Sequence, residues 1–254
     1  MTIKTCIAAV VAAATLALPA SASSIFLAGD RNIVTVIGDN DQLFKNVLGG
    51  KTVVDYSILN FGIVGVTLAS DFAASTPVTP AGLAGNDIAI LALGRAQSTL
   101  EPGGFLPDAE INAITQFVAG GGSLFLLGER APGFNSVNVL VNQILTAVGS
   151  TMRLLTTAES NFHDGGAETF AVTGATPFAD GVDEFRIAGA AGIDLGNGTA
   201  VISGFASNQF GTGQQPAFGT AVALETLAPV PVPAALPLFG SALGMFALWR
   251  HRAA

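Results

Sequence analysis

The chain has 254 residues, 18 acidic against 10 basic side chains, a formal net charge of −8, 31 glycines and a single cysteine. Such an acidic, weakly charged chain is a poor partner for nucleic acid, because that binding rests on Lys and Arg neutralising phosphates. Cys6 stands alone, which excludes an internal disulfide framework and a thiolate metal cluster.

The chain opens with Lys4, an apolar run from Ile7 to Leu18 of 12 residues, and Ala20-Ser21-Ala22 after Pro19. This is the pattern of a secretory signal peptide over residues 1–22, cut after Ala22: the apolar run is short for a span, and small residues follow it. Cys6 falls in the removed part, so the exported chain has no thiol for a nucleophile. Residues 23–228 remain as one domain of about 205 residues, enough for a sizeable core. All 18 acidic side chains fall there against 7 basic ones, for a net charge of −11. That field favours solubility and cations over anionic surfaces.

Within this domain, residues 32–37 form a β-branched run that predicts the first strand. Gly38-Asp39-Asn40-Asp41 then reads as a turn and N-cap, residues 42–48 as a helix, and Gly49-Gly50 as its stop. Strands are expected at 52–56 and 63–68, and a loop at 77–82. Residues 87–93 read Asp-Ile-Ala-Ile-Leu-Ala-Leu, apolar on both alternating faces, as in a strand covered on two sides.

Pro107-Asp108-Ala109-Glu110 opens a helix, since the missing proline N–H is harmless in a first turn and carboxylates complement the macrodipole there. Ile111, Ile114, Phe117 and Val118 make its apolar face, Gly120-Gly121-Gly122 ends it, and 123–127 is a second buried strand. Strand, helix, strand predicts a right-handed crossover, with 87–93 and 123–127 as parallel neighbours. A further helix over 136–148 carries Val137, Leu140, Val141, Ile144, Leu145 and Val148 on one face, and Gly149 closes it. Short β-like runs at 169–172, 184–187, 199–204 and 220–224 follow. The expected class is therefore α/β: a mostly parallel sheet with flanking helices, antiparallel edge strands in the C-terminal half, and a C-terminal transmembrane helix.

That last element lies in residues 229–254. No charged side chain occurs from Thr226 to Trp249. A helix over 234–249 would span about 24 Å, a little short of the roughly 30 Å hydrocarbon core. Pro229, Pro231 and Pro233 favour an extended lead-in over more helix. Trp249 suits an interface, Arg250 and Arg252 can reach headgroups, and the positive-inside bias puts the bulk of the chain outside. The run Val230-Pro231-Val232-Pro233-Ala234, the short span and the terminal Arg250-His251-Arg252 resemble the PEP-CTERM sorting tails of Gram-negative bacteria, in the variant that begins Val-Pro-Leu-Pro-Ala. Val232 stands where that variant has Leu. The resemblance implies a transit signal recognised by a PEP-CTERM-type sorting protease in the inner membrane, cleavage near the Pro motif, and a host that makes exopolysaccharide. The mature protein is then expected at the cell surface or outside it.

The middle of the chain, with Asp-Ile-Ala-Ile-Leu, an acidic-start helix and Phe-Val-Ala-Gly-Gly-Gly-Ser-Leu-Phe-Leu-Leu-Gly, is similar to the class I glutamine-amidotransferase-like fold and other flavodoxin-like domains. Catalytic members hold a nucleophilic cysteine on the turn after the second of these strands. Gly128-Glu129-Arg130-Ala131 occupies that turn here, so the resemblance implies a non-catalytic relative.

Few side chains are candidates for a site. Asp39 and Asp41 sit at the carboxyl end of the predicted first strand, where open α/β sheets bind ligands, although capping of the helix accounts for them as well. Glu129 and Arg130 end another central strand and face the same crevice or form an exposed ion pair. His163, beside Asp164, is the only histidine of the exported domain, and no Gly-x-Ser-x-Gly elbow accompanies it. It reads as a solvated or capping loop residue, and a surface role is expected for Glu129 too. No spacing suits a metal, and Gly120-Gly121-Gly122 precedes a strand rather than a helix, so no cofactor is expected. These features predict a non-catalytic binding or structural domain of the cell envelope or extracellular matrix, whose partner is exopolysaccharide or an envelope protein. The alternative is a hydrolase acting on glycan or peptide through Asp39, Glu129 and Asp164.

Overall fold

Short runs of Val, Ile, Leu and Phe that are apolar on both alternating faces need a sheet covered on two sides. The computed structural model contains one, and describes residues 22–34, 40–56, 68–71, 76–93, 104–130, 134–157, 161–163, 166–174, 176–206 and 217–229. The strands are β1 (Ser23–Ala28), β2 (Val53–Tyr56), β3 (Leu68–Asp71), β4 (Ile88–Leu91), β5 (Ser123–Leu127), β6 (Arg153–Leu154) and β7 (Asn161–His163). They continue with β8 (Glu168–Ala171), β9 (Glu184–Ile187), β10 (Ala190–Ala191), β11 (Ile193–Asp194), β12 (Thr199–Ala206) and β13 (Ala217–Leu227). The α-helices are α1 (Asp41–Leu48), α2 (Pro80–Leu83), α3 (Asp108–Ala119) and α4 (Asn135–Ala147), with 3-10 turns at Arg31–Val34 and Pro177–Ala179.

A 7-stranded sheet runs in the order β12-β13-β1-β5-β4-β2-β3. Strands β1, β5, β4, β2 and β3 are mutually parallel, while β13 and β12 add antiparallel. The fold is thus mixed α/β with a mostly parallel central sheet and antiparallel strands contributed by the C-terminal half. The expected pair is present: β4 and β5 are parallel neighbours, from Ile88 opposite Ser123 to Leu91 opposite Leu126. Small antiparallel pairs β7–β10, β6–β11 and β8–β9 stand beside the main sheet.

Alternation along each strand feeds two cores. Phe26, Ala28, Ile88, Ile90, Phe125 and Leu127 point to the face covered by Leu43, Phe44, Val47 and Leu48 of α1 and by Phe170 and Phe185 of the β8–β9 pair. Phe26 meets Phe125 and Phe178 edge-on at 5.9 and 5.1 Å, so aromatic edges fill this layer. Ile25, Leu27, Ala89, Leu91, Leu124 and Leu126 point to the opposite face, covered by Ile114 and Val118 of α3 and by Leu140, Val141, Ile144 and Leu145 of α4. Glu110, in the first turn of α3, adds a tether by accepting the Val78 N–H at 2.7 Å.

The first strand differs from expectation. The 3-10 turn at Arg31–Val34 replaces the predicted strand start, because Asp30 Oδ1 accepts the Asn32 N–H at 2.7 Å and closes an Asx turn. Residues 35–37 of that prediction lie outside the described residues. β1 is instead Ser23–Ala28, a short run buried on both faces that the apolar residues 7–18 just before it mask in the sequence. The expected loop at 77–82 contains α2, nucleated when Thr79 Oγ1 accepts the Gly82 N–H at 3.1 Å. Asn40 precedes α1 without capping it through its side chain. Its amide donates to the carbonyls of Ile33 and Arg186 at 3.0 and 2.8 Å and accepts the Arg186 N–H at 2.9 Å, which ties the 3-10 turn to β9.

The two ends of the domain meet in one register. Ser23 opposes Leu227, and Ile25 opposes Glu225. Glu225 accepts from Ser150 Oγ at 2.5 Å, Thr151 N–H at 2.9 Å, Thr151 Oγ1 at 3.0 Å and Met152 N–H at 3.4 Å, anchoring β13 to the chain leaving α4. Among the described residues no helix is long and apolar enough to cross a membrane. The predicted span at 234–249 and the leader before Ala22 lie outside the described residues.

Candidate functional site

The carboxyl ends of β1 and β5 bring the most polar buried cluster together. Both strands run into a glycine, Gly29 and Gly128, and then into Asp30 and Glu129. At Gly29 the chain must pass close to β10: the Ala191 N–H donates to the Gly29 carbonyl at 2.9 Å, and any side chain would collide with the Ala191 carbonyl.

Asp30 is 1 % exposed. Its Oδ1 accepts from Asn32 N–H at 2.7 Å and Asn32 Nδ2 at 2.9 Å, and its Oδ2 from Ala188 N–H at 2.5 Å. Asn32 Nδ2 also reaches the Ala188 carbonyl at 3.0 Å and Glu129 Oε2 at 3.4 Å. One amide nitrogen therefore bridges the two carboxyl groups. Burial pushes the Asp30 carboxyl up to about 8, against the hydrogen bonds from Ala188 and Asn32, with the nearby Glu129 carboxylate acting in the same direction as burial.

Glu129 was expected at the surface and is 3 % exposed instead. Its ion-pair partner is Arg31, with Nε to Oε2 at 2.9 Å, while the Arg130 N–H donates to Oε1 at 3.1 Å. Burial raises its carboxyl above the usual range, opposed by the Arg130 amide and by the Arg31 guanidinium. Arg31 is held from the other side by the Phe134 ring, its guanidinium carbon 4.9 Å from the centroid. Asn138 of α4 fixes the Glu129 backbone, accepting its N–H at 2.9 Å and donating to its carbonyl at 2.7 Å. The expectation of an exposed pair fails on exposure: β1 and β5 end side by side, and the 3-10 turn after β1 brings Arg31, far away in sequence, onto the buried Glu129 carboxylate, with Arg130 adding a smaller attraction.

The remaining candidates lie elsewhere. His163 was expected in a solvated loop, yet it sits on β7 and is 1 % exposed. Pairing with Ala190 of β10 closes water off, and the ring lies 2.8 Å from the Gly166 carbonyl through Nε2 and 3.4 Å from Glu168 Oε2 through Nδ1. Asp41, in the first turn of α1, borders an open polar groove of about 620 Å³ that Gln42, Lys45, Asp183 and Glu184 also line. A smaller groove of about 330 Å³ lies between α2 and α3, against Leu83, Asn86 and Phe117. Asp39 and Asp164, together with Ala20 and the motif residues Val230, Pro231, Val232, Pro233, Ala234, Arg250 and Arg252, lie outside the described residues. Among the described residues no group of three His, Cys, Asp or Glu side chains is placed to hold a metal ion.

Asp30, Arg31, Asn32 and Asn138 were not among the sequence candidates. Gly29-Asp30-Arg31-Asn32 would have been found had 23–28 been read as a strand, since it then occupies the carboxyl end where ligands collect. The cluster is an α/β carboxyl-edge clamp: it joins β1, β5, α4 and the β9–β10 turn. No family model matches the chain, and no curated protein or solved structure was found to be significantly similar to it.

Proposed function

We propose that the chain is an exported cell-envelope or extracellular-matrix protein, whose α/β domain binds or scaffolds rather than catalyses and whose residues 229–254 sort it through the inner membrane. One observation carries the non-catalytic reading: both oxygens of Glu129 are engaged, Oε1 by the Arg130 N–H and Oε2 by Arg31 and Asn32. A general acid, base or nucleophile has to come within hydrogen-bond reach of a substrate atom. A carboxylate closed in on all sides serves as a clamp. The turn that holds the nucleophile in amidotransferase-like enzymes is Gly128-Glu129-Arg130 in this chain.

Strand order supports a flavodoxin-like relationship. β3-β2-β4-β5 follows the 2-1-3-4 order of such sheets, and β1 takes the fifth place. The polar groove beside α1 supports binding of exopolysaccharide, because amide, amine and carboxylate side chains on an open surface can exchange hydrogen bonds with a hydroxyl-rich polymer. The PEP-CTERM-like tail supports the route. Fractionation of the native host with mass determination of both termini tests the reading. The expected product lies outside the inner membrane, begins at Ser23 and lacks the span. Full-length chain retained in the inner membrane would overturn it.

A further inference from the structure

We propose that Arg31 presents an anion-binding fork at the carboxyl edge of the sheet, and that its ligand is a carboxylate carried on a sugar ring, as in a uronate-bearing glycan. The glycan part rests on the exopolysaccharide reading above, and the carboxylate part rests on the guanidinium itself. After β1 the chain turns to the face covered by α1, burying Ile33 and Val34 there, and after β5 it turns to the face covered by α4. Two neighbouring parallel strands thus send their chains to opposite faces, and beyond such carboxyl ends α/β sheets bind ligands. Arg31 opens the 3-10 turn at this parting.

The guanidinium is held from two sides. Its Nε pairs with the buried Glu129 Oε2 at 2.9 Å, and its central carbon lies 4.9 Å from the Phe134 ring centroid. A guanidinium carries its N–H donors in one planar fork, and here only the Nε end is spent. Among the described residues nothing accepts a hydrogen bond from Nη1 or Nη2, and the side chain remains 22 % exposed. An unrestrained arginine loses rotamer freedom when a ligand fixes it. Glu129 and Phe134 have already removed that freedom, so the open end of the fork is preorganised.

Local charge selects an anion. Arg31 and Arg130 both attract the Glu129 carboxylate, so two guanidinium groups stand by one ionised carboxyl. Burial keeps the neighbouring Asp30 carboxyl protonated up to about 8, which withholds a second negative charge. The domain as a whole is acidic, so long-range steering contributes nothing and affinity comes from contact. The planar fork matches both oxygens of a carboxylate. Beside it Phe134 stays 37 % exposed, and the negative π face of an aromatic ring attracts the C–H groups of a pyranose. A carboxylate on a sugar ring engages both features together.

The test titrates the full-length chain in detergent with trigalacturonate, with its uncharged methyl ester and with acetate, by calorimetry. Trigalacturonate should bind, and the methyl ester at least about tenfold more weakly, because it cannot form the charge-assisted pair. Acetate should compete only at large excess, since it offers nothing to Phe134. Arg31→Lys keeps a positive charge for Glu129 but has no fork, and should weaken trigalacturonate by a similar factor in protein whose urea transition confirms folding. Equal affinity for acid and ester, or full affinity in Arg31→Lys, would overturn the fork and leave glycan binding standing. Binding lost in Lys45→Met and kept in Arg31→Lys would do the same, moving the glycan to the groove beside α1. Acetate competing at equal concentration would overturn the sugar-borne ligand in favour of a free carboxylate. Failure of both acid and ester to bind would overturn the glycan reading, and this site with it.

Discussion

Toward the amino edge of the sheet Glu225 holds its charge, while at the carboxyl edge Asp30 gives its charge up. Both carboxyls accept several hydrogen bonds, so donor supply alone does not separate them. Burial raises the Glu225 carboxyl, but the bonds from Ser150, Thr151 and Met152 outweigh it and bring the group below its ordinary value. At Asp30 burial outweighs the bonds from Ala188 and Asn32, and the neighbouring Glu129 adds a like charge. Depth and neighbouring charge thus decide which carboxyl keeps its proton.

Breaking the carboxyl-edge clamp should have the largest effect. Glu129→Ala leaves the Arg31 guanidinium and the Asn32 amide without their shared acceptor, and should cost about 3–5 kcal/mol, as removal of one partner of a buried pair does. Urea unfolding reads this as a lower midpoint at unchanged slope. A cost below about 1 kcal/mol would return Glu129 to the surface role read from the sequence.

Glu225→Ala should come next. It deprives Ser150, Thr151 and Met152 of an acceptor and should cost about 1–3 kcal/mol by the same measurement. An unchanged midpoint would mean that water replaces the carboxylate and that the amino edge is open.

The pH profiles sharpen the contrast because the signs oppose. A folded carboxyl raised to about 8 holds a proton that the unfolded chain has lost, so the Asp30 contribution is full below the ordinary carboxylate range and is lost as pH rises through about 8. Glu225, lowered in the folded state, contributes above its ordinary value and loses that contribution as pH falls through its folded value. Asp30→Asn should therefore flatten the fall in stability between the ordinary carboxylate range and about pH 8, and Glu225→Gln should flatten the fall below the ordinary carboxylate range. Denaturation midpoints from about pH 2 to about pH 9 check both, and a fall toward pH 8 that survives in Asp30→Asn would remove the proton from Asp30.

The smallest effect belongs to Asp87, which is exposed. The Thr52 N–H and hydroxyl lower its carboxyl, so Asp87→Asn should shift the midpoint by less than either buried change and lose its pH dependence on the acid side. A shift as large as that of Glu225→Ala would show that exposure does not govern the difference between the edges.

Periodicity alone determined the elements whose signal is local. β4, β5 and β9, and helices α3 and α4, fall within a residue or two of their predicted bounds, because alternation and the i, i+3, i+4 stripe record burial directly. The parallel pairing of β4 and β5 was also legible, since a crossover helix of that length leaves little choice. The proposed leader and tail rest likewise on composition and order along the chain.

Tertiary structure decided the polar roles. Asn40 looks like a helix cap, yet its amide serves Ile33 and Arg186, and Glu129 looks like half of an exposed pair with its neighbour Arg130, yet it is buried and its ion pair is with Arg31, Arg130 adding a smaller attraction. His163 looks like a loop residue and becomes buried once β7 meets β10. An apolar side chain needs only to leave water, which its spacing announces, whereas a polar one needs a particular partner at a particular angle. The partners of Asp30 and Glu129 come from strands and turns remote in sequence, so only the closed sheet identifies them.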